Sequence, residues 1–202
     1  MSEVLDLLVV GACPTGIAIG AEAIRRGVGV LVMDRGPLTA AIQGYPTFME
    51  FFTTRDRLEI ADIPFTIPDD KPTRRQALAY YRLVTDRYRI PLALYEEVLD
   101  IRREGEGFTV TSNRRELRAR AVAVATGYFG NPRRLGVPGE DLPWVSARYK
   151  EAYPHYRQDV VIVGAGNTAA EAALDLWRNG ARVTLVHRGQ HVKPGVKYWV
   201  KP

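Results

Sequence analysis

The chain has 202 residues, 46% of them hydrophobic, with a net charge of +5 and a single cysteine. That is enough apolar mass for one substantial core or two small ones; one cysteine excludes an internal disulfide framework, and no apolar run is long enough to span a membrane. Paired arginines recur, but acids interleave with them and no basic block carries stacking aromatics, so they read as solvated surface rather than a nucleic-acid face.

The opening residues read as strand, glycine turn, helix, strand. Residues 7–10 are a short apolar run, as for a strand buried on both faces. Gly11, Cys13, Pro14, Thr15 and Gly16 fall in a tight turn, residues 17–26 are helical in composition up to Gly27, and the apolar run 28–33 ends on Asp34, followed by Arg35. Such a βαβ unit points backbone N–H groups and a helix N-terminus at a pyrophosphate, and an acid after the second strand accepts hydrogen bonds from an adenosine ribose. The fingerprint G-x-G-x-x-G has its first and third glycines in Gly11 and Gly16, but Cys13 replaces the second. A side chain there is expected to crowd the phosphates.

Residues 36–46 read as a loop, with Gln43 and Tyr45 near its end, and 58–60 as a short strand. A helix is expected over 73–89, with Ala77, Leu78, Tyr81, Val84 and Tyr88 on its core face. Residues 92–95 read as a third parallel strand. The runs 98–102, 108–111 and 116–120, broken by Gly105-Glu106-Gly107 and Asn113-Arg114, read as an antiparallel meander that begins at Val98. Small apolar residues 121–125 lead to Thr126-Gly127, and a stretch rich in glycine and proline links to a second domain.

That domain repeats the opening. Strand 159–163 leads into Gly164-Ala165-Gly166-Asn167-Thr168-Ala169, an intact G-x-G-x-x-A turn; a helix to Arg178 and strand 182–186 follow, ending at His187-Arg188. Two such turns, each in a βαβ unit with a meander between them, give an α/β chain of two Rossmann-like dinucleotide-binding domains, expected at 1–127 and 128–202. Asp34 suits a free ribose, whereas Arg188 suits a 2′-phosphate, so FAD is expected at the first turn and NADPH at the second. His155, His187 and His191 lack supporting ligands at metal spacing, and no metal is expected.

The chain resembles the two-dinucleotide-domain flavoproteins that include thioredoxin reductases, and within them the bacillithiol disulfide reductases. The likeness runs over the whole chain. It is carried by Tyr45-Pro46-Thr47, Phe51-Phe52-Thr53, Asp56-Arg57-Leu58, Asp62-Ile63-Pro64-Phe65, residues 76–82, Ala125-Thr126-Gly127-Tyr128 and Gln158-Asp159-Val160-Val161. The resemblance implies a cytoplasmic, homodimeric FAD enzyme that passes hydride from NADPH through flavin to a low-molecular-weight disulfide. It places Gly11, Gly16, Asp34, Gln43 and Tyr45 along FAD, with Val98 at the adenine and Thr126 and Gly127 over the cofactor. Gly164, Gly166, Asn167, Thr168 and Arg188 would hold NADPH.

The chain departs from that pattern in three ways. Residues 127–202 contain no cysteine, which excludes a thioredoxin-reductase dithiol. The family's own cysteine matches Thr15, so a thiol nucleophile would have to be Cys13, two residues earlier. The chain also stops soon after Arg188, as expected of a product truncated at its C-terminus. The alternatives are a cysteine-independent reductase passing electrons to a ferredoxin-like partner, a flavin monooxygenase, and an inactive dinucleotide-binding remnant.

Overall fold

The structure, a computed structural model, describes residues 4–189, 191 and 193–197. The chain forms two compact units. One comprises residues 1–45 and 49–145, the other 46–48 and 146–202. The division falls after the 128–145 stretch rather than before it. That stretch is tied to the first unit: Phe129 packs edge-on against Tyr45 at 4.7 Å between ring centroids, and Arg35 donates to the Gly130 carbonyl.

In the first unit, β1 (Leu5–Val10), α1 (Pro14–Arg25) and β2 (Val30–Asp34) form the expected βαβ unit, with β1 and β2 parallel. A one-turn helix, α2 (Ala40–Gln43), breaks what the sequence reads as loop. Helix α3 (Arg74–Tyr88) is followed by β3 (Leu92–Leu94), parallel to β2. Then come β4 (Val98–Glu104), β5 (Gly107–Ser112) and β6 (Glu116–Val124). The strand order is β3-β2-β1-β6-β5-β4. The strand expected over 116–120 runs on to Val124: its first half pairs antiparallel with β5 and its second half parallel with β1. Residues 58–60 are not a strand; only an isolated Ile60–Ile63 bridge forms there.

Side chains alternate across the parallel strands, so both faces are buried. Val9 and Val32 face Ile17 and Ala21 of α1 and Ala77, Tyr81 and Val84 of α3. Leu8 and Met33 face the meander through Val110 and Ala119. Helix α1 lies close to the sheet because Gly20 has no side chain: a Cβ there would come within 3.0 Å of both Ile90 and Val32.

Helix α3 starts where a capping box stops the backbone groups from going unpaired. The Thr73 hydroxyl accepts from Gln76 N–H, and the Gln76 side chain accepts from Thr73 N–H. Its core face also includes Tyr80, which the spacing did not single out. The Tyr80 hydroxyl donates to the Ile63 carbonyl at 2.6 Å, accepts from Ile60 N–H at 2.8 Å, and its ring stacks on Phe65. Tyr80→Phe strands both backbone groups, so a loss of about 1–3 kcal/mol is expected. Urea unfolding would show it as a lower midpoint at unchanged slope; an unchanged midpoint would mean that water replaces the hydroxyl at no cost.

The second unit contains β7 (Asp159–Val163), α4 (Asn167–Arg178) and β8 (Arg182–Val186), with β7 and β8 parallel. Val160, Ile162 and Val183 pack with Leu176 and Ala181, and the Tyr149 hydroxyl donates to Asp175 on α4. No helix among the described residues is long and apolar enough to cross a membrane.

Candidate dinucleotide sites

The first turn is built by close backbone approach. Gly11 takes φ +113°, donates its N–H to the Met33 carbonyl at 2.7 Å, and sits where any Cβ would be 2.4 Å from the Ala125 carbonyl oxygen. Gly16 is tighter still, since a Cβ there would lie 1.8 Å from the Gly11 carbonyl oxygen. These two glycines let α1 begin directly above β1, with its N-terminal amides aimed past the strand ends. Pro14 opens the helix without needing an N–H partner, and Thr15 beside it is exposed.

Asp34 closes the turn. Its Oδ2 accepts from Ala12 N–H and its Oδ1 from Gly36 N–H, both at 2.8 Å. The carboxylate is therefore aimed by two backbone donors and keeps lone pairs for further donors. Neighbouring Arg35 is exposed, with its guanidinium toward the Gly130 carbonyl and Glu97.

Helix α2 is brought against the turn, which the sequence did not indicate. Thr39, 2% exposed and in the left-handed region at φ 56°, donates its N–H to the Ala12 carbonyl. Arg74 reaches back from α3 to donate to the Ile42 and Gln43 carbonyls at 3.1 and 2.8 Å. Gln43 Nε2 donates to the Leu38 carbonyl, and Tyr45 follows, half-buried against Phe51 and Phe129. Burial pushes the Tyr45 phenol up from its ordinary range. Thr126 and Gly127 leave β6 exposed next to Gly11, Gly127 with φ +65°. The structure thus gathers Gly11, Cys13, Pro14, Thr15, Gly16, Asp34, Gln43, Tyr45, Thr126 and Gly127 around one turn. Val98 stands apart as the first residue of β4, opposite Ser112.

Cys13 is the N-cap of α1 and half-buried. Burial pushes its thiol up, the Ala41 N–H hydrogen bond to its sulfur pulls the other way and is outweighed, and Asp34 adds to the rise. That direction disfavours the thiolate, the form that attacks disulfides.

The second turn has the same plan with the middle position open. Gly164 takes φ +144° and donates to the Val186 carbonyl at 2.9 Å. A Cβ on Gly166 would meet nothing within 4 Å. In the first turn, the equivalent position holds the Cys13 side chain. Thr168 is exposed in the first turn of α4. The Asn167 side chain accepts from Lys197 N–H at 2.8 Å and lies 3.4 Å from the Gly195 carbonyl, so it also ties the 193–197 segment to the turn. His187 Nδ1 accepts from Gly189 N–H, which fixes the turn after β8 and leaves Arg188 exposed. No group of three His, Cys, Asp or Glu suited to a metal occurs among the described residues.

Residues 8–202 match the pyridine nucleotide-disulphide oxidoreductase family. The chain belongs to that family. It is 36% identical over 196 residues to bacilliredoxin reductase Bdr of Bacillus subtilis, covering 96% of this chain and 60% of that protein. The bacillithiol disulfide reductase Bdr (YpdA) of Staphylococcus aureus superposes with a TM-score of 0.94 at 38% identity, covering 99% of this chain and 62% of that one. A ferredoxin–NADP reductase of Ignicoccus hospitalis is 30% identical over 184 residues, covering 91% of this chain and 56% of that protein. A flavin-containing monooxygenase of Stenotrophomonas maltophilia, at 24% identity and a TM-score of 0.81, shares the fold. The chain spans about 60% of the length of the Bdr proteins it matches. The residues fit two dinucleotides: both turns have the outer small residues that close packing requires, and the second has open space at its middle glycine. The first is narrowed at Cys13.

Proposed function

We propose that the chain carries the two cofactor sites of an NADPH-dependent FAD reductase whose acceptor is a low-molecular-weight disulfide, acting in the cytoplasm and as a homodimer. The observation that carries this is the contrast between the two second strands: β2 ends in a carboxylate aimed by two amides, β8 in a turn that presents Arg188. FAD belongs at the first turn, in the first unit, and NADPH at the second turn, in the second unit. Asp34 would orient the FAD ribose, the first turn of α1 would hold the pyrophosphate, and Gln43, Tyr45, Val98, Thr126 and Gly127 would line the rest. Gly164, Gly166, Asn167 and Thr168 would cradle the NADPH pyrophosphate, with Arg188, beside His187, on its 2′-phosphate. Bound together, the two cofactors supply two-electron reduction of an acceptor; the chain's residues bind, orient and exclude water.

Incubating the purified chain with FAD, desalting it and adding NADPH anaerobically tests the reading. A retained flavin band that bleaches supports it; a flavin that washes away overturns it for this chain. Arg188→Ala should weaken NADPH about tenfold while NADH changes little, as loss of one charge-assisted phosphate contact implies. Equal losses for the two nucleotides would remove Arg188 from the site.

The state of Cys13 favours a second reading for the acceptor. A half-buried thiol whose pKa is raised makes a poor nucleophile, which suits cysteine-independent electron transfer to a ferredoxin-like protein. Cytochrome or ferredoxin reduction without disulfide reduction would select it.

A further inference from the structure

We propose that Glu96 is the positioning residue for the adenosine end of the first site, a role that rests on the FAD reading given above. Glu96 lies between β3 and β4, 3% exposed, although the neighbouring Glu97 is only half-buried. A buried carboxylate is costly unless it is ionically paired and hydrogen-bonded. Glu96 has both: Oε1 accepts from Ser112 Oγ at 2.7 Å and Arg115 Nε at 3.0 Å, and Oε2 accepts from Arg115 Nη2 at 3.1 Å. The Arg115 guanidinium holds its carboxyl below the usual carboxylate range.

The main chain of the same residue grips the site. Glu96 N–H donates to the Asp34 carbonyl at 2.9 Å, and Tyr95 N–H donates to the Gly36 carbonyl at 3.2 Å. Asp34 carries the carboxylate proposed for the ribose, and Gly36 N–H is one of the two donors that aim it. On the far side, Glu97 and Asn113 exchange hydrogen bonds, and Ser112 Oγ accepts from both Arg114 and Arg115 N–H groups. The segment 95–97 is thus fastened at one end to the exit of β2 and at the other to the β5–β6 turn, and it leads directly into Val98. Both residues assigned to the adenosine, Asp34 and Val98, adjoin the segment held by this ion pair, whose carboxylate is buried and whose guanidinium is half-exposed. Released from Arg115, the segment drifts, and the Asp34 carboxylate loses its aim.

Glu96→Gln keeps the shape and removes the charge; Ser112→Ala removes the hydroxyl that bonds Glu96, together with its bonds to the Arg114 and Arg115 N–H groups. FAD and ADP binding to the apo chain, followed by flavin fluorescence and competition, should weaken about tenfold in Glu96→Gln, the scale on which supporting hydrogen bonds tune ligand sites. NADPH binding at the second turn and the thermal midpoint of the second unit should stay as in the parent chain. Ser112→Ala should weaken FAD in the same direction by a smaller factor, and it carries the test if Glu96→Gln does not fold. FAD and ADP affinities within twofold of the parent in a folded variant overturn the proposal. Equal losses for FAD and NADPH do so too, because they report general destabilisation. A parent chain that binds NADPH but neither FAD nor ADP overturns the first-site reading itself.

Discussion

Gly16→Ala should cost the first unit about 3 kcal/mol or more, the upper range for adding a methyl group to a closed site. The added Cβ would lie 1.8 Å from the Gly11 carbonyl oxygen and 2.9 Å from its carbon. Neither atom belongs to a side chain that can swing away. The strand cannot retreat either, because Gly11 N–H is bonded to Met33, Ala12 N–H is bonded to Asp34, and the other side of Gly11 already abuts the Ala125 carbonyl. Against a typical domain stability of about 5–15 kcal/mol the loss is large, and at about 2–4 °C per kcal/mol it lowers the unfolding midpoint by roughly 10 °C. Gly166→Ala is the control. Its Cβ enters open space from an extended backbone, and its effect on stability should stay within about 0.5 kcal/mol. Circular dichroism melts of the two variants decide it: equal midpoints would mean that the first turn can open without loss.

The same comparison shows what the sequence could convey. The glycine turns were legible because close backbone approach leaves a residue type that no side chain can replace, and Gly11 and Gly16 are such positions. Strands β1 and β2 were legible from apolar runs buried on both faces, β7 and β8 from apolar runs that leave Val161, Val163 and Val186 exposed, and α3 from its spacing and cap. Helix α2 was not, since four residues cannot display a helical period and Thr39 in the left-handed region has no composition signal. Strand β6 was legible only over 116–120, because its partner changes midway, from the meander to β1. The arginine pairs read as solvated surface, yet Arg74 turns onto the carbonyls of α2 and Arg115 onto Glu96. Nothing in the local sequence marks those two arginines out from the others; their partners lie 19 to 32 residues away and are chosen by the fold. The same holds for Asn167, whose place in the turn was legible and whose bond to Lys197 was not.

The middle position of the two turns gives the largest expected effect on binding. In the second turn Gly166 leaves open the space that a pyrophosphate needs. In the first, the Cys13 side chain occupies that position, and its sulfur takes the Ala41 N–H. In the proposed site one substitution would have two consequences: a phosphate would meet a side chain, and the Ala41 N–H would already be drawn to the sulfur. Cys13→Gly removes both and should tighten FAD roughly 10- to 100-fold, the worth of one restored hydrogen bond to a charged oxygen. Gly166→Cys should weaken NADPH by a comparable factor. Fluorescence titration of FAD and NADPH against the two variants and the double exchange measures it directly. Opposite changes of similar size at the two sites would show that the two turns obey one rule and that the first is partly closed by its own thiol. If Cys13→Gly leaves FAD affinity unchanged and abolishes disulfide reduction with flavin still bound, the sulfur is the nucleophile and the burial that raises its pKa is relieved in the loaded protein. If both affinity and reduction are unchanged, Cys13 is tolerated because the phosphates pass the turn without touching it, and the narrowing seen beside Ala41 has no bearing on the cofactor.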